Sequence, residues 1–143
     1  MGDTEYINKL LYALDNDKNE KIVSLNKEKI MKMKNDILQT LQLSREKLKE
    51  LHKKLKDYRY VSDLADLNEG SYIRWISLKN PDNIKLTNGG ILVDTLIFND
   101  GLQLRVKNNM NRFLQIKFDE ALIFQKLSNQ EKIILDIINY IDK

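Results

Sequence analysis

Between Asp3 and Glu69 the chain contains neither proline nor glycine. No residue in that stretch lacks a backbone N–H or is the usual left-handed helix stop. Within it, Ile30, Ile37, Leu41, Leu48, Leu51, Leu55 and Tyr58 recur at heptad spacing. One seam reads Ile30, Ile37, Ser44, Leu51 and Tyr58; the other reads Lys34, Leu41, Leu48 and Leu55. This pattern predicts one long amphipathic helix from Asn26 to Asp57, capped by Ser24 or Asn26, with Lys34 and Ser44 as polar intrusions that cost stability and fix register. At 1.5 Å per residue the rod would be about 48 Å long, too long for a small core to cover. Its stripe must meet residues 4–14, the C-terminal helix or a second copy, and the reading favours self-association through it, a coiled coil.

The flanks are short elements. Residues 4–14 place Ile7, Leu10, Leu11 and Leu14 at helical spacing, which predicts a short helix that must dock to persist. From Tyr58 onward the texture turns to β. Strands are expected over 71–78, 91–98, 102–107 and 112–118, with a fifth in ALIFQKL, and Asp100-Gly101 marks a hairpin. Ser62 is expected to open a one-turn helix. Ser128 with Glu131 forms a capping box ahead of a C-terminal helix rich in isoleucine. The fold expected is α+β: a helical hairpin or coiled coil with one long helix over 1–57, then a small antiparallel β-barrel or roll of 4–5 strands with a C-terminal helix over 58–143.

Charge is unevenly placed. The total is +3, yet residues 18–57 alone sum to +6. Lysine dominates that excess, which describes a solvated helix face better than a phosphate-binding one. No apolar run reaches the ~18–20 residues of a membrane span, and the first residues lack the cationic start and apolar stretch of a signal peptide. Cysteine is absent, so no disulfide or thiolate metal site is available. An intracellular, non-secreted protein is expected.

The chemistry-bearing residues do not assemble into a catalytic site. Asp15, Asp17 and Asn19 stand at alternate positions as in a calcium loop, but Glu20 replaces the glycine of the turn and Asn26 the bidentate glutamate. His52 is the only histidine and sits among lysines. Ser44, two turns away, has no reason to meet it as nucleophile to base. Asp119 and Glu120 are adjacent, so on a strand they face opposite ways. No phosphate loop or zinc motif is present. The reading is a non-enzyme with no cofactor, no metal and no catalytic residue. For nucleic acid, Arg74, Arg105, Arg112, Lys117 and Tyr72 lie on or beside expected strands, as cations and aromatic rings do on small barrels that bind single strands. Trp75 alternates to the other face and reads as core.

The stretches RYVSDLADLNEGSYIRWISLKNP, KLTNGGILVDTLIFNDG and NRFLQIKFDEALIFQKLSNQEK resemble small uncharacterised proteins of nucleocytoplasmic large DNA viruses over residues 59–132. The resemblance carries no functional residues and implies a virion or host-cytoplasm component. The sequence therefore points to a non-enzymatic structural or adaptor protein. It would be a homo-oligomer through the long helix, presenting a β module to a protein partner; the alternative is a nucleic-acid-binding small barrel.

Overall fold

The computed structural model describes residues 2–141, the side chains of Asp3, Lys18, Glu20 and Lys21 aside. Helix α1 (Gly2–Asp15) is followed by a 3₁₀ helix (Asp17–Ser24), then α2 (Lys27–Gln39) and α3 (Arg45–Lys54). The uninterrupted rod expected from Asn26 to Asp57 is thus corrected to two helices. The break comes from residues that carry no glycine or proline signal. Thr40 turns its Oγ1 onto the Ile37 carbonyl at 2.6 Å, and the Thr40, Leu41 and Gln42 amides tighten onto carbonyls three residues back. Gln42 then takes the left-handed φ of 53°, which glycine or asparagine usually supplies. Ser44 reopens the helix as an N-cap, its Oγ accepting from the Lys47 N–H at 3.2 Å. Asn26 caps α2 in the same way, at 2.7 Å from the Lys29 N–H.

The break lets α3 fold back beside α2, where His52 Nε2 meets Asn35 Oδ1 at 3.1 Å. Both helices lie on a sheet made of β1 (Tyr58–Val61), β2 (Tyr72–Ser77), β3 (Gly90–Phe98), β4 (Gly101–Lys107), β5 (Phe113–Lys117) and β6 (Ala121–Lys126). Helix α4 (Asn129–Ile141) closes the described chain. Leu38, Leu51, Leu55 and Tyr58 are buried with Ile76, Ile84, Leu122 and Phe124, and Ile37, Leu41 and Leu48 pack around them. Ile30 is buried in a second group with Ala13, Ile22, Ile134 and Leu135, where α1, α2 and α4 meet. The heptad stripe is therefore covered by the chain itself.

Lys34, the polar intrusion of the heptad, anchors this arrangement. Its side chain is buried at 5% exposure, and its Nζ donates to the Leu55 carbonyl at 2.8 Å and the Tyr58 carbonyl at 3.0 Å. It thus supplies a donor to the Tyr58 carbonyl and a second one to the Leu55 carbonyl, which also accepts from the Tyr58 N–H at 3.0 Å. Burial lowers its pKa from the usual lysine value, and the nearby Asp57 charge works against that shift.

The strand order is β1-β6-β2-β3-β4-β5, with every pairing antiparallel. β2 and β3 share only Tyr72↔Ile91 and Ile73↔Gly90. At that narrow joint a methyl on Gly89, whose φ is +82°, would stand 2.1 Å from the Ile73 carbonyl oxygen, and one on Gly90 would stand 2.5 Å from that of Lys107. Only glycine lets the two halves approach so closely. Across that joint Ile73, Trp75 and Ile123 of one half share a cluster with Leu92, Leu104 and Val106 of the other. The expected barrel or roll of 4–5 strands is corrected to an open six-stranded sheet, because β1 and β5 end the strand order and no pairing joins them.

The two accounts of Lys34 make opposite predictions. In a coiled-coil seam Lys34→Met would stabilise; here it strands the buried Tyr58 carbonyl, leaves that of Leu55 with the Tyr58 N–H alone, and should cost roughly 1–3 kcal/mol. Urea unfolding measures the difference, and a more stable variant would contradict the fold.

Candidate interaction surface

The sheet has two edges with different fates. On the β1 side, α2 packs against the strand and Lys34 takes the Tyr58 carbonyl. β1 also carries Arg59, whose Nη2 donates to the Asp66 carbonyl at 2.7 Å. On the β5 side, pairing with β4 uses one edge of the strand, and β5 lies last in the strand order. The register Lys107↔Phe113 and the bond from the Asn108 N–H to the Arg112 carbonyl fix which groups look outward. Hydrogen bonding in an antiparallel pair alternates along each strand. The backbone groups of Phe113, Gln115 and Lys117 therefore point away from β4.

On this strand Phe113 is 58% exposed and Leu114 is also open to solvent, as is Met110 in the turn before it. The hairpin beneath them is well held. β3 carries an irregularity between Leu92 and Asp94, which sets Asp94 opposite Arg105. There the carboxylate accepts two bonds from the guanidinium, at 2.9 and 2.7 Å. Arg105 lies 5.4 Å from the centre of the Phe113 ring and the Lys107 ammonium 5.8 Å from it, within reach of cation–π attraction. The hairpin turn places its positive φ of 132° at Gly101, directly after Asn99 and Asp100. Asn111 supplies a left-handed φ of 61° between β4 and β5, while Asn108 Oδ1 accepts from the Met110 and Arg112 amides.

The residues singled out for nucleic acid share one sheet face without forming an open basic surface. By register, Tyr72, Arg74, Arg105 and Lys117 fall on the same side. Tyr72 Oη donates to the Asn88 carbonyl at 2.6 Å and Arg74 Nε to that of Thr87 at 2.7 Å, so both hold the loop before β3. Arg105 is paired with Asp94. Lys117 meets Asp100 at 3.2 Å, and this hydrogen bond and charge raise its pKa. Arg112 is exposed in the turn before β5. Trp75 lies on the opposite face, 8% exposed in the core.

Asn19 is buried, and its amide donates to the Ala13 carbonyl at 2.7 Å and to Gln130 Oε1 at 3.1 Å. His52 lines a groove with Met31, Lys32, Lys34, Asn35 and Lys56. Its pKa is lowered first by burial and then by the Lys34 charge. The capping box forms as drawn from the sequence, with Ser128 N–H to Glu131 Oε1 at 3.0 Å and Glu131 N–H to Ser128 Oγ at 3.1 Å. The 3₁₀ turn Leu64–Asp66 is capped by Asp63, one residue after the Ser62 expected. No group of three or more metal-ligating side chains occurs among the described residues, and no helix there is long and apolar enough to cross a membrane.

The sequence reading missed Phe113 and Leu114. The available signal was RFLQIKF itself, which carries apolar residues at both parities although one face of a half-buried strand should be polar. No family model, curated protein or solved structure matches the chain, so the resemblance of residues 59–132 to large-DNA-virus proteins gains no support from these comparisons.

If Phe113 serves recognition rather than folding, Phe113→Ser should change stability by no more than about 1 kcal/mol, the scale of an exposed ring contact. Thermal unfolding is the check. A loss above about 3 kcal/mol, typical of a core phenylalanine, would contradict it.

Proposed function

We propose that this protein is a non-enzymatic interaction or structural protein whose docking element is the β5 edge. The observation that carries the reading is the outward row of backbone groups at Phe113, Gln115 and Lys117, flanked by exposed Phe113 and Leu114. Unpaired edges template strand addition, and proteins that do not use an edge blunt it with proline, a bulge or a covering element. The β1 edge is covered in that way; β5 has no proline and no irregularity in its pairing with β4. Main-chain bonds would supply affinity and the alternate side chains specificity. Leu48, Leu51 and Leu55 pack within the chain, so the helical stripe is not the surface offered to a partner.

Selection from a library of displayed extended peptides tests this reading. Peptides that bind should slow hydrogen exchange at the Phe113, Gln115 and Lys117 amides. Gln115→Pro, which removes one outward donor at an edge where proline is tolerated, should abolish binding with the circular dichroism spectrum unchanged. Binders that protect the α1–α4 layer instead, or none at all, would contradict it.

A second reading, nucleic-acid binding, rests on one observation: residues 101–117 hold Arg105, Lys107, Arg112 and Lys117 and no acidic residue. Asp94 and Asp100 neutralise two of these cations, which favours the protein partner. On the second reading, single-stranded DNA would bind at ~50 mM salt with an affinity falling steeply as salt rises, and Lys107→Ala would lower the slope by about one. Absence of binding at that salt removes it.

A further inference from the structure

We infer that the partner strand at β5 is the β5 of a second copy, paired antiparallel about a two-fold axis through Gln115; this rests on the reading of β5 as the docking edge. A two-fold normal to a sheet maps each face onto itself, so odd-numbered residues of one copy must face odd-numbered residues of the other. Among such registers, the one centred on Gln115 brings Phe113 opposite the partner's Lys117 and Gln115 opposite its own copy. It satisfies every outward N–H and C=O from Phe113 to Lys117, because these are the residues whose backbone points away from β4. Centring on Leu114 or Ile116 leaves one end of the strand unpaired.

The side chains suit the same register. On one face the exposed Leu114 meets Ile116 of the other copy, burying apolar surface that the monomer leaves in water. On the other face the Phe113 ring of one copy comes beside the side chain of Lys117 of the other, whose ammonium stays on its own Asp100 at 3.2 Å. The pair at the axis is a neutral amide that hydrogen-bonds its own image. No like charges stand directly opposite, the arrangement that would otherwise oppose strand pairing. Beyond the strand ends, Arg112 of one copy lies toward the 3₁₀ turn Phe118–Glu120 of the other, which carries Asp119 and Glu120. Glu120 is held by Lys79 at 3.1 Å within its own chain, so the exposed Arg112 and Asp119 are the opposite charges that this antiparallel register brings toward each other at each end of the edge.

Sedimentation equilibrium of the full chain at ~100 µM tests the proposal, alongside Gln115→Glu. The wild type should be a dimer. The variant places two carboxylates across the axis, so its dimer should be roughly tenfold or more weaker at neutral pH and recover at a pH below the carboxylate range. A nitroxide on Gln115→Cys, the sole thiol in a cysteine-free chain, should report a close intermolecular neighbour, whereas one on Glu28→Cys in α2 should not. A strict monomer, or a dimer indifferent to Gln115→Glu at every pH, would overturn the second copy as occupant. If the chain is monomeric yet an extended peptide protects the β5 amides, the edge reading survives and the self-pairing fails; if neither occurs, both fail.

Discussion

A single ammonium group sits where three elements of this fold meet. Lys34 projects from α2 onto the carbonyls of Leu55 and Tyr58, the last acceptors of α3 and the first of β1. Buried carbonyls without a donor are costly, and so is a buried ammonium without acceptors. The position of α3 beneath α2 and the start of the sheet are therefore coupled through one side chain. From that point Leu38, Leu51, Leu55 and Tyr58 follow into the cluster with Phe124 and Ile76. The helical layer then covers β1, β6 and β2 and leaves β5 outside its reach.

The consequence for function is an asymmetry between edges. One side of the sheet is finished by α2 and by the buried junction in which Arg59 and Glu131, each under 5% exposed, stand 4.0 Å apart. Gln125 Oε1 accepts the Asn68 amide in the same region at 2.8 Å, so the chain invests its buried polar groups there. The other side ends in a short strand whose Phe113, Gln115 and Lys117 backbone groups point away from β4, with Phe113 and Leu114 exposed. That asymmetry is what supports reading β5 as the docking edge.

Much of the local structure was legible in the sequence. Helical spacing marked α1, the Ser128–Glu131 box marked α4, and residues 71–78, 91–98, 102–107 and 112–118 each became a strand. The long helix was not legible as two, because its breaking residues are Thr40, Gln42 and Ser44. A heptad tolerates such residues, and here tertiary packing places one of them in a left-handed conformation. Heptad spacing also describes two short helices folded onto a sheet, since both arrangements need one apolar stripe. Tyr58–Val61 was too short to register as a strand and gains its identity from pairing with β6. The candidate site was less legible still: whether an apolar strand residue is covered depends on what lies beside it, and nothing in RFLQIKF states that β5 is last in the order.

The fold-back of α3 under α2 is the claim on which the covered stripe, the finished β1 edge and the open β5 edge all depend. Lys32 and Lys56 line the same groove between these helices. In one continuous helix, at 1.5 Å per residue, they would stand about 36 Å apart. Spin labels on cysteines placed at these two positions, in a chain with no other thiol, measure that separation by electron paramagnetic resonance. A single narrow distance far below about 36 Å is the predicted result, and a distribution centred near about 36 Å would contradict the account.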